Sequence, residues 1–391
     1  MYEIVRTARG AEPGAPAILF VGHAGLPNGF SRVLHSLLRH FPPGWNLHHY
    51  ATNLRPGAPS SPDHGWTLHR NSSPVLHSPD ALAAVIDKVQ PAIVVVLEQP
   101  WVCCRLAPAL ARQRSFRSVF YAAIDEPAAV SKPVAAELAR QDCVVSFTEF
   151  AREILLRAFA RFGISPPMVR VIPHGVDHEL FFPISRREAR QQLFPNRPEL
   201  HDAFLVLNAN RNQPFKRIDL TLRGFARFAA GKPDNVKLYL HMANRPAMGG
   251  QRPLADVLGI RERILGLTTG DRHPETPSEH LNLLYNACDI GINTAQKEGW
   301  GLIAFEHAAA RVAQIVPGYG TGRELWQGSA WLLDEPVTPE SVAHALEALY
   351  SNPGLRDKLA EAGIRNANRP EYAWSNIAQR WERLFRELIG K

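Results

Sequence analysis

Two glutamates, Glu298 and Glu306, flank a glycine-containing turn in the second half of the chain. The turn and the predicted start of the following helix are made by Gly299, Trp300, Gly301 and Leu302. Glycine permits a tight turn and a close approach of a ligand, and the N–H groups that begin a helix attract phosphate. The pattern predicts a diphosphate at the turn, with a carboxylate on either side for sugar hydroxyls. The alternative, a surface turn with two solvated acids, is disfavoured by the strand predicted before it and the helix after it.

A basic pair, Arg211 and Lys216, follows a predicted strand at 204–208 and precedes a helix with an apolar stripe. A guanidinium binds phosphate bidentately, and an ammonium acts as a point charge. Positive charge is mildly unfavourable at a helix start, which argues against a purely solvent-facing role. We expect the pair to stabilise a departing diphosphate as its charge grows.

Two segments of the first half give weaker signals. After the predicted strand 17–21, Gly29 and Arg32 could meet a phosphate, or they belong to a plain strand-to-helix turn. The segment is not GxGxxG and lacks an acid about 20 residues on, which disfavours a dinucleotide dehydrogenase. At the end of another predicted strand, Asp125 and Glu126 either face a ligand, or Asp125 caps a helix that begins at Pro127.

No metal or bound cofactor is predicted. The sixteen histidines show no metal-ligand spacing, and HExxH is absent. Four cysteines form no CxxC pair and no zinc pattern, so free thiols are expected.

The formal charge is +7, which suits an anionic ligand, a membrane surface or nucleic acid without choosing among them. One basic group, with no acid between its members, consists of Arg105, Arg112, Arg114 and Arg117. This group is either a solvated helix face or a docking site. As a docking site, it would bind an acidic acceptor or make a peripheral contact with a lipid surface. Nucleic acid is disfavoured because no basic stretch is interleaved with aromatic residues. The absence of long apolar runs and of a signal-like N-terminus predicts a cytoplasmic protein.

Short apolar strands alternate with helices throughout, which predicts an α/β protein with parallel, doubly wound sheets. The predicted strands are 17–21, 45–50, 92–98, 117–124, 143–147, 169–172, 204–208, 236–241, 264–267, 289–293, 313–316 and 330–333. Predicted helices of the first half are 30–41, 79–89, 107–114, 133–140 and 150–162. A Pro- and Gly-containing turn at 172–177 predicts domains at 1–173 and 174–371, with a cleft between two sheets. An amphipathic helix is predicted at 372–391.

These residues together resemble glycosyltransferase family 4, which has the GT-B fold of two facing Rossmann-like domains. The resemblance covers nearly the whole chain and is strongest from Ile172 to Leu333. Glu298 and Glu306 match the family's E-x7-E pattern, and Arg211 and Lys216 match its basic diphosphate pair. The resemblance implies that Glu298 lies at the donor sugar and Glu306 at the nucleotide ribose. It also implies a diphosphate turn at 299–301, a hinge at 172–177 and a final helix that packs back on the first domain.

The resemblance implies a retaining, metal-independent, hexosyltransferase-like enzyme that moves a sugar from a nucleotide diphosphate donor to a carbohydrate or glycoconjugate acceptor. The leaving phosphate then helps to accept the acceptor's proton. The absence of DxD also argues against the metal-dependent single-domain glycosyltransferases. This chain departs from the family at one position, because many members carry a histidine where Asp125 falls. The residues expected to act in catalysis are Asp125, Arg211, Lys216 and Glu298. A GT-B epimerase and a non-catalytic nucleotide-sugar or glycan-binding protein are the alternatives.

Overall fold

The computed structural model of the protein describes residues 14–24, 28–55, 65–111, 115–244, 251–268 and 276–390. The chain divides into two compact units. The first comprises residues 1–175 together with 370–391, and the second comprises residues 176–369. No helix within the described ranges is long and apolar enough to cross a membrane.

A seven-stranded parallel sheet forms the centre of the first unit, in the order β3-β2-β1-β4-β5-β6-β7. Every residue of β4 is buried, as expected for a central strand covered on both faces. The strands are β1 Ala17–Gly22, β2 Asn46–Ala51, β3 Thr67–Arg70, β4 Ile93–Glu98, β5 Arg117–Ala122, β6 Cys143–Ser146 and β7 Met168–Val171. The helices are α1 Gly29–Arg39, α2 Pro79–Val89, α3 Pro100–Ala111, α4 Lys132–Leu138, α5 Glu149–Phe162 and α14 Trp374–Ile389.

The second unit repeats this topology with a six-stranded parallel sheet, in the order β10-β9-β8-β11-β12-β13. Its first strand, β8, is central and pairs with both β9 and β11. The strands are β8 Phe204–Asn208, β9 Val236–Leu240, β10 Ile264–Leu265, β11 Ile290–Ile292, β12 Ala313–Pro317 and β13 Trp331–Leu333. The helices are α6 Arg186–Leu193, α7 Ile218–Ala229, α8 Gln251–Val257, α9 Ser278–Ala287, α10 Leu302–Ala309, α11 Gly320–Trp326, α12 Pro339–Ser351 and α13 Pro353–Ala367.

The two parallel sheets confirm the predicted α/β class, and two details differ from the sequence interpretation. Strand β3 was not predicted, because four residues with a histidine and an arginine give no apolar run; it forms by parallel pairing with β2. Helix α3 begins at Pro100 rather than at residue 107 and continues through Pro108. The predicted end of that helix, 112–114, lies outside the described residues.

The C-terminal helix α14 is buried within the first unit through its aromatic residues. The Trp381 ring lies edge-on to Tyr121 at 4.9 Å, and Phe385 lies 5.7 Å from Phe41. The Tyr121 hydroxyl also lies 2.8 Å from Nδ1 of His174 and 3.1 Å from the Ile172 carbonyl oxygen. Tyr121 therefore connects the central sheet to both the last helix and the segment where the first unit ends.

Close packing of α7 on α12 depends on a glycine. A Cβ atom on Gly224 would fall well inside van der Waals distance of Cγ1 of Val342, a fully buried residue of α12. Val342 is buried and has no space to move away from such a Cβ atom. The neighbouring helix therefore requires glycine at position 224, whereas the backbone angles of Gly224 do not.

We expect Gly224→Ala to destabilise the second unit by about 1–2 kcal/mol, since overpacking costs about 1–3 kcal/mol and alanine regains about 1 kcal/mol of helix propensity. The measurement is the free energy of unfolding in urea. In a Val342→Ala background the same substitution should be neutral or stabilising. Gly354→Ala is the matched helical control, because its Cβ would meet nothing closer than 3.5 Å. Equal losses in both backgrounds would contradict the clash.

Candidate functional site

The candidate site of the second unit is built on the loops that follow β8 and β11. These strands are parallel neighbours, so their carboxyl ends lie at the same edge of the sheet. The Thr294 hydroxyl lies 2.8 Å from the Arg217 carbonyl oxygen and 2.8 Å from the Thr221 hydroxyl. The Gln296 N–H donates to the Phe215 carbonyl oxygen at 2.7 Å. These bonds hold the two loops side by side.

Lys216 and Glu298 meet across these loops, although 82 positions separate them in sequence. The Lys216 Nζ lies 2.5 Å from Oε2 of Glu298, and both side chains are largely shielded from water. The Asn293 amide donates a further hydrogen bond to the same carboxylate oxygen at 3.3 Å. The second unit therefore presents a paired cation and anion beside the glycine turn.

One of the two glycines in the turn between the glutamates, Gly301, has a backbone conformation that favours glycine. Gly301 has a φ of +89° and immediately precedes α10, so a residue with a side chain would be strained there. Trp300 is buried and stacks on Phe305 at 5.0 Å. The tryptophan thus anchors the turn to α10, and Leu302 is the first helical residue, where backbone N–H groups suit a phosphate.

Glu306 lies in α10 and is 2% exposed. Its Oε2 accepts a hydrogen bond from the Tyr285 hydroxyl at 3.1 Å. The next residue, His307, contacts the Tyr285 carbonyl oxygen through Nε2 at 3.0 Å, and burial lowers the pKa of His307 to about 3. Tyr285 therefore fixes this part of α10 from two sides and orients the Glu306 carboxylate.

Arg211 lies on the same loop as Lys216, at an exposed position after β8. The Gln213 N–H donates to the Arg211 carbonyl oxygen at 2.8 Å, which curves the chain between the two basic residues.

The remaining predicted site residues belong to the first unit. Gly29 begins α1, and the Arg32 N–H donates to the carbonyl oxygen of Asn28, the residue that caps this helix. Asp125 is half-buried and follows β5. Glu126, rather than Asp125, occupies the cap position before the 3-10 turn at Pro127–Ala129, and the Glu126 side chain makes no capping hydrogen bond there.

The predicted basic group is not a continuous acid-free patch. Arg105 is exposed on α3, but Arg117 forms an ion pair with Asp142 at 2.9 Å. Parallel pairing of β5 and β6 brings the aspartate to the arginine, although 25 positions separate them. Arg112 and Arg114 lie outside the described residues.

A cluster that sequence reasoning missed lies in the first unit. The Nε2 atom of His23 is 3.3 Å from Oε1 of Glu98, and Nδ1 of His77 is 3.9 Å from the same oxygen. Burial raises the pKa of Glu98 to about 8, against a smaller opposing effect of the Gln99 N–H. Burial, followed by the charges of His23 and Arg105, lowers the pKa of His77 to about 4. The three positions span 75 residues, so no local spacing reveals them; the only sequence signal is that His23 and Glu98 both lie at strand ends.

The curated proteins most similar to this chain in sequence include several that share one name. No protein-family model matches the chain. D-inositol 3-phosphate glycosyltransferase of Stackebrandtia nassauensis is 30% identical over 275 residues, which are 67% of this chain and 58% of that protein. The enzyme of the same name from Geodermatophilus obscurus is 30% identical over 234 residues, 59% of this chain and 48% of the relative. The chain thus spans about half the length of these curated relatives.

Solved structures resemble the whole described fold. Sucrose-phosphate synthase from Thermosynechococcus elongatus has a TM-score of 0.78 at 18% identity and covers 96% of this chain and 99% of its own. Anabaena HepE, solved in complex with UDP-glucose, has a TM-score of 0.75 at 16% identity. The match covers 95% of this chain and 100% of the HepE chain. The fold is therefore the GT-B fold of glycosyltransferases, as predicted. The curated relatives are themselves glycosyltransferases, which confirms the predicted resemblance to glycosyltransferase family 4.

Thr294→Val removes the hydroxyl that joins the two loops while keeping the side-chain shape. We expect the free energy of unfolding of the second unit to fall by about 1–3 kcal/mol, since buried polar groups lose their partner. Urea denaturation measures the loss, and Thr67→Val on the exposed start of β3 is the surface control, expected within about 0.5 kcal/mol of the parent. Equal stability of Thr294→Val and the parent would show that the loops are held by other contacts.

Proposed function

We propose that the chain is a retaining glycosyltransferase that transfers a sugar from a nucleotide diphosphate donor to a carbohydrate or glycoconjugate acceptor without a metal ion at the diphosphate. The observation that carries the proposal is the contact of Lys216 with Glu298 beside the glycine turn that begins α10. The names of the curated relatives support it, as does a structural neighbour solved with UDP-glucose.

The donor is proposed to bind at the start of α10. Its diphosphate lies at the N–H groups of the turn at 299–302, and Lys216 and Arg211 supply the compensating charge. A diphosphate draws Lys216 toward itself, which leaves the Glu298 carboxylate to accept hydrogen bonds from the donor sugar. The Glu306 carboxylate, already oriented by Tyr285, accepts from the ribose. Gly29 and Arg32, at the start of α1, stay predicted phosphate contacts.

In the proposed reaction the bond between the anomeric carbon and the leaving phosphate oxygen breaks, and a bond from the same carbon to an acceptor oxygen forms on the same face. The acceptor's hydroxyl proton passes to the leaving phosphate. Charge grows on the diphosphate as it leaves, so fixed cations at that position stabilise the transition state more than the ground state. Two protein cations there take the place of a divalent metal.

The acceptor is proposed to meet the carboxyl ends of the first unit's strands, where Asp125 follows β5. Asp125 orients the acceptor hydroxyl or stabilises positive charge on the donor sugar. The name of the curated relatives makes D-inositol 3-phosphate the first acceptor to try, and the exposed Arg105 suits an acidic group of this kind.

The test begins with the full chain and UDP-, GDP-, ADP- and dTDP-glucose in a thermal-shift panel. A ligand present at about 100 times its dissociation constant adds roughly 2.7 kcal/mol of stability. The stabilising donor is then incubated with D-inositol 3-phosphate and with simple sugars, and proton NMR assigns the anomer of any product. A retained α-linkage supports the proposal, and an inverted linkage contradicts it. A changed sugar with donor alone indicates an epimerase, and no chemistry despite tight binding indicates a binding protein.

Lys216→Ala should lower kcat more than it raises the donor KM, because its charge acts on a leaving group that becomes more anionic in the transition state. Arg211→Ala should do the same. Lys297→Ala is the matched control: its ammonium lies 5.4 Å from the Phe215 ring, as that of Lys216 does at 5.5 Å, yet we assign it no donor contact. An unchanged kcat with a raised KM in Lys216→Ala would limit that residue to ground-state binding.

Initial transfer rates should survive chelation of Mg²⁺ with EDTA, since Lys216 and Arg211 supply the charge that a metal would provide at the diphosphate. Rates are compared in EDTA, in EDTA with excess Mg²⁺, and in untreated enzyme. A complete loss that Mg²⁺ restores would contradict the metal-free donor site.

Asp125→Asn keeps the side-chain shape and deletes the charge. We expect a fall in kcat with little change in nucleotide affinity and an intact fold, measured by steady-state kinetics, calorimetry and circular dichroism. Glu126→Gln is the control, because Glu126 adjoins Asp125 and has no assigned role. A wild-type rate for Asp125→Asn, or a greater defect in Glu126→Gln, would remove Asp125 from the acceptor position.

A further inference from the structure

The first unit holds a group of two imidazoles and a carboxylate to which the proposed function assigns no role; two of its three residues are buried. One ligand-type atom from each of His23, His77 and Glu98 lies within 4.8 Å of the other two. In the part of the chain that the structure describes, no other group of three histidine, cysteine, aspartate or glutamate residues has this geometry.

The topology of the sheet brings these residues together. β1 and β4 are adjacent parallel strands; His23 follows β1, and Glu98 is the last residue of β4. His77 immediately precedes Ser78, the cap of α2, and has a φ of +56°. All three side chains therefore converge at the carboxyl edge of one sheet, where ligands bind in folds of this kind.

Two atoms of the group lack hydrogen-bond partners. Oε1 of Glu98 and Nδ1 of His77 are both fully buried and make no hydrogen bond to the residues that the structure describes, and their side chains are 3% and 7% exposed. A buried polar atom without a partner costs about 1–3 kcal/mol, and such atoms usually indicate something that binds between them.

We propose that His23, His77 and Glu98 bind a divalent transition-metal cation of the zinc class, through Nε2, Nδ1 and Oε1 respectively. Two imidazoles and one carboxylate form a ligand set that suits zinc, whereas Mg²⁺ and Ca²⁺ prefer oxygen ligands. Ligands about 2.0–2.1 Å from a tetrahedral zinc lie about 3.4 Å apart. The distance from Nε2 of His23 to Oε1 of Glu98 is 3.3 Å and already matches this ligand spacing. Nδ1 of His77 lies 3.9 Å from the same oxygen and must approach it by about half an ångström.

Glu98 would bind the cation as a carboxylate, and its proton leaves when the cation enters. The charges of His23 and Arg105 both act on His77. The His23 side chain is 23% exposed, so solvent reaches the group on that side.

Asn28 provides a specific test of His23 as a ligand. Its amide nitrogen lies 3.0 Å from Nδ1 of His23, while its Oδ1 accepts from the Ser31 N–H and caps α1. A metal on Nε2 requires a proton on Nδ1, and that proton needs an acceptor, which the amide nitrogen cannot provide. Asp at position 28 would accept from both Nδ1 of His23 and the Ser31 N–H, creating the carboxylate–histidine–zinc arrangement and keeping a preferred helix cap.

The experiment titrates Zn²⁺ into tag-free, chelator-treated full chain by calorimetry. We expect one equivalent to bind. Asn28→Asp should tighten binding by about 10-fold. Glu98→Gln and His77→Asn each remove a ligand, so each should weaken binding by more than the roughly 10–100-fold that loss of an outer-shell partner costs. Asparagine is chosen at position 77 because it tolerates a positive φ. With Co²⁺ in place of Zn²⁺, visible absorption reports a tetrahedral site, and its loss in Glu98→Gln gives a second readout.

His69→Asn is the matched control. His69 and His48 form another imidazole pair in the same unit, with 2.9 Å between Nε2 and Nδ1, so generic binding to paired histidines would respond to that variant instead. Circular dichroism and melting of the metal-free variants report folding, and the gain expected for Asn28→Asp cannot come from misfolding. No saturable one-to-one binding, unchanged affinity in Glu98→Gln and His77→Asn, or weaker binding in Asn28→Asp would overturn the proposal. Because the readout is binding without donor or acceptor, its failure is separate from failure of the proposed transferase activity.

Discussion

The parallel pairing of β8 with β11 determines where the charged groups of the second unit lie. It places the loop that begins after Asn208 beside the loop that begins after Ile292, and the Thr294 hydroxyl then ties these loops together through the Lys216 and Arg217 carbonyls. The contact of Lys216 with Glu298 follows from this geometry. So does its position beside the start of α10, where backbone N–H groups and a side-chain cation can act on the same anion.

Each unit places charged or titratable side chains at the carboxyl edge of its sheet, but the electrostatic balance differs. In the second unit the Glu298 carboxylate has both a cation and an amide as partners. In the first unit the Glu98 carboxylate is buried with an unpartnered oxygen, and burial raises its pKa to about 8. Both proposals follow from this difference: the ion pair of the second unit would exchange partners with an anionic ligand, and the carboxylate of the first unit would bind a cation between its imidazoles.

The two sheets share one strand order over their first six strands, and structures of only 16–18% identity have the same fold. Such persistence is expected because buried parallel strands require apolar character rather than particular residues. Side chains with chemical roles are carried by the loops at the strand ends.

The sequence by itself determined the alternation of strands and helices, the glycine turn between Glu298 and Glu306, and the basic pair after β8. Each is a local signal, since apolar runs, glycines and helix starts are read within a few residues. Tertiary structure decided which distant residues meet. Strand order brought Glu298 to Lys216 and gathered His23, His77 and Glu98. It also gave Arg117 an acidic partner that local sequence did not show. Contacts of this kind depend on which strands become neighbours, and that is set by packing of the whole sheet rather than by the spacing of residues along the chain.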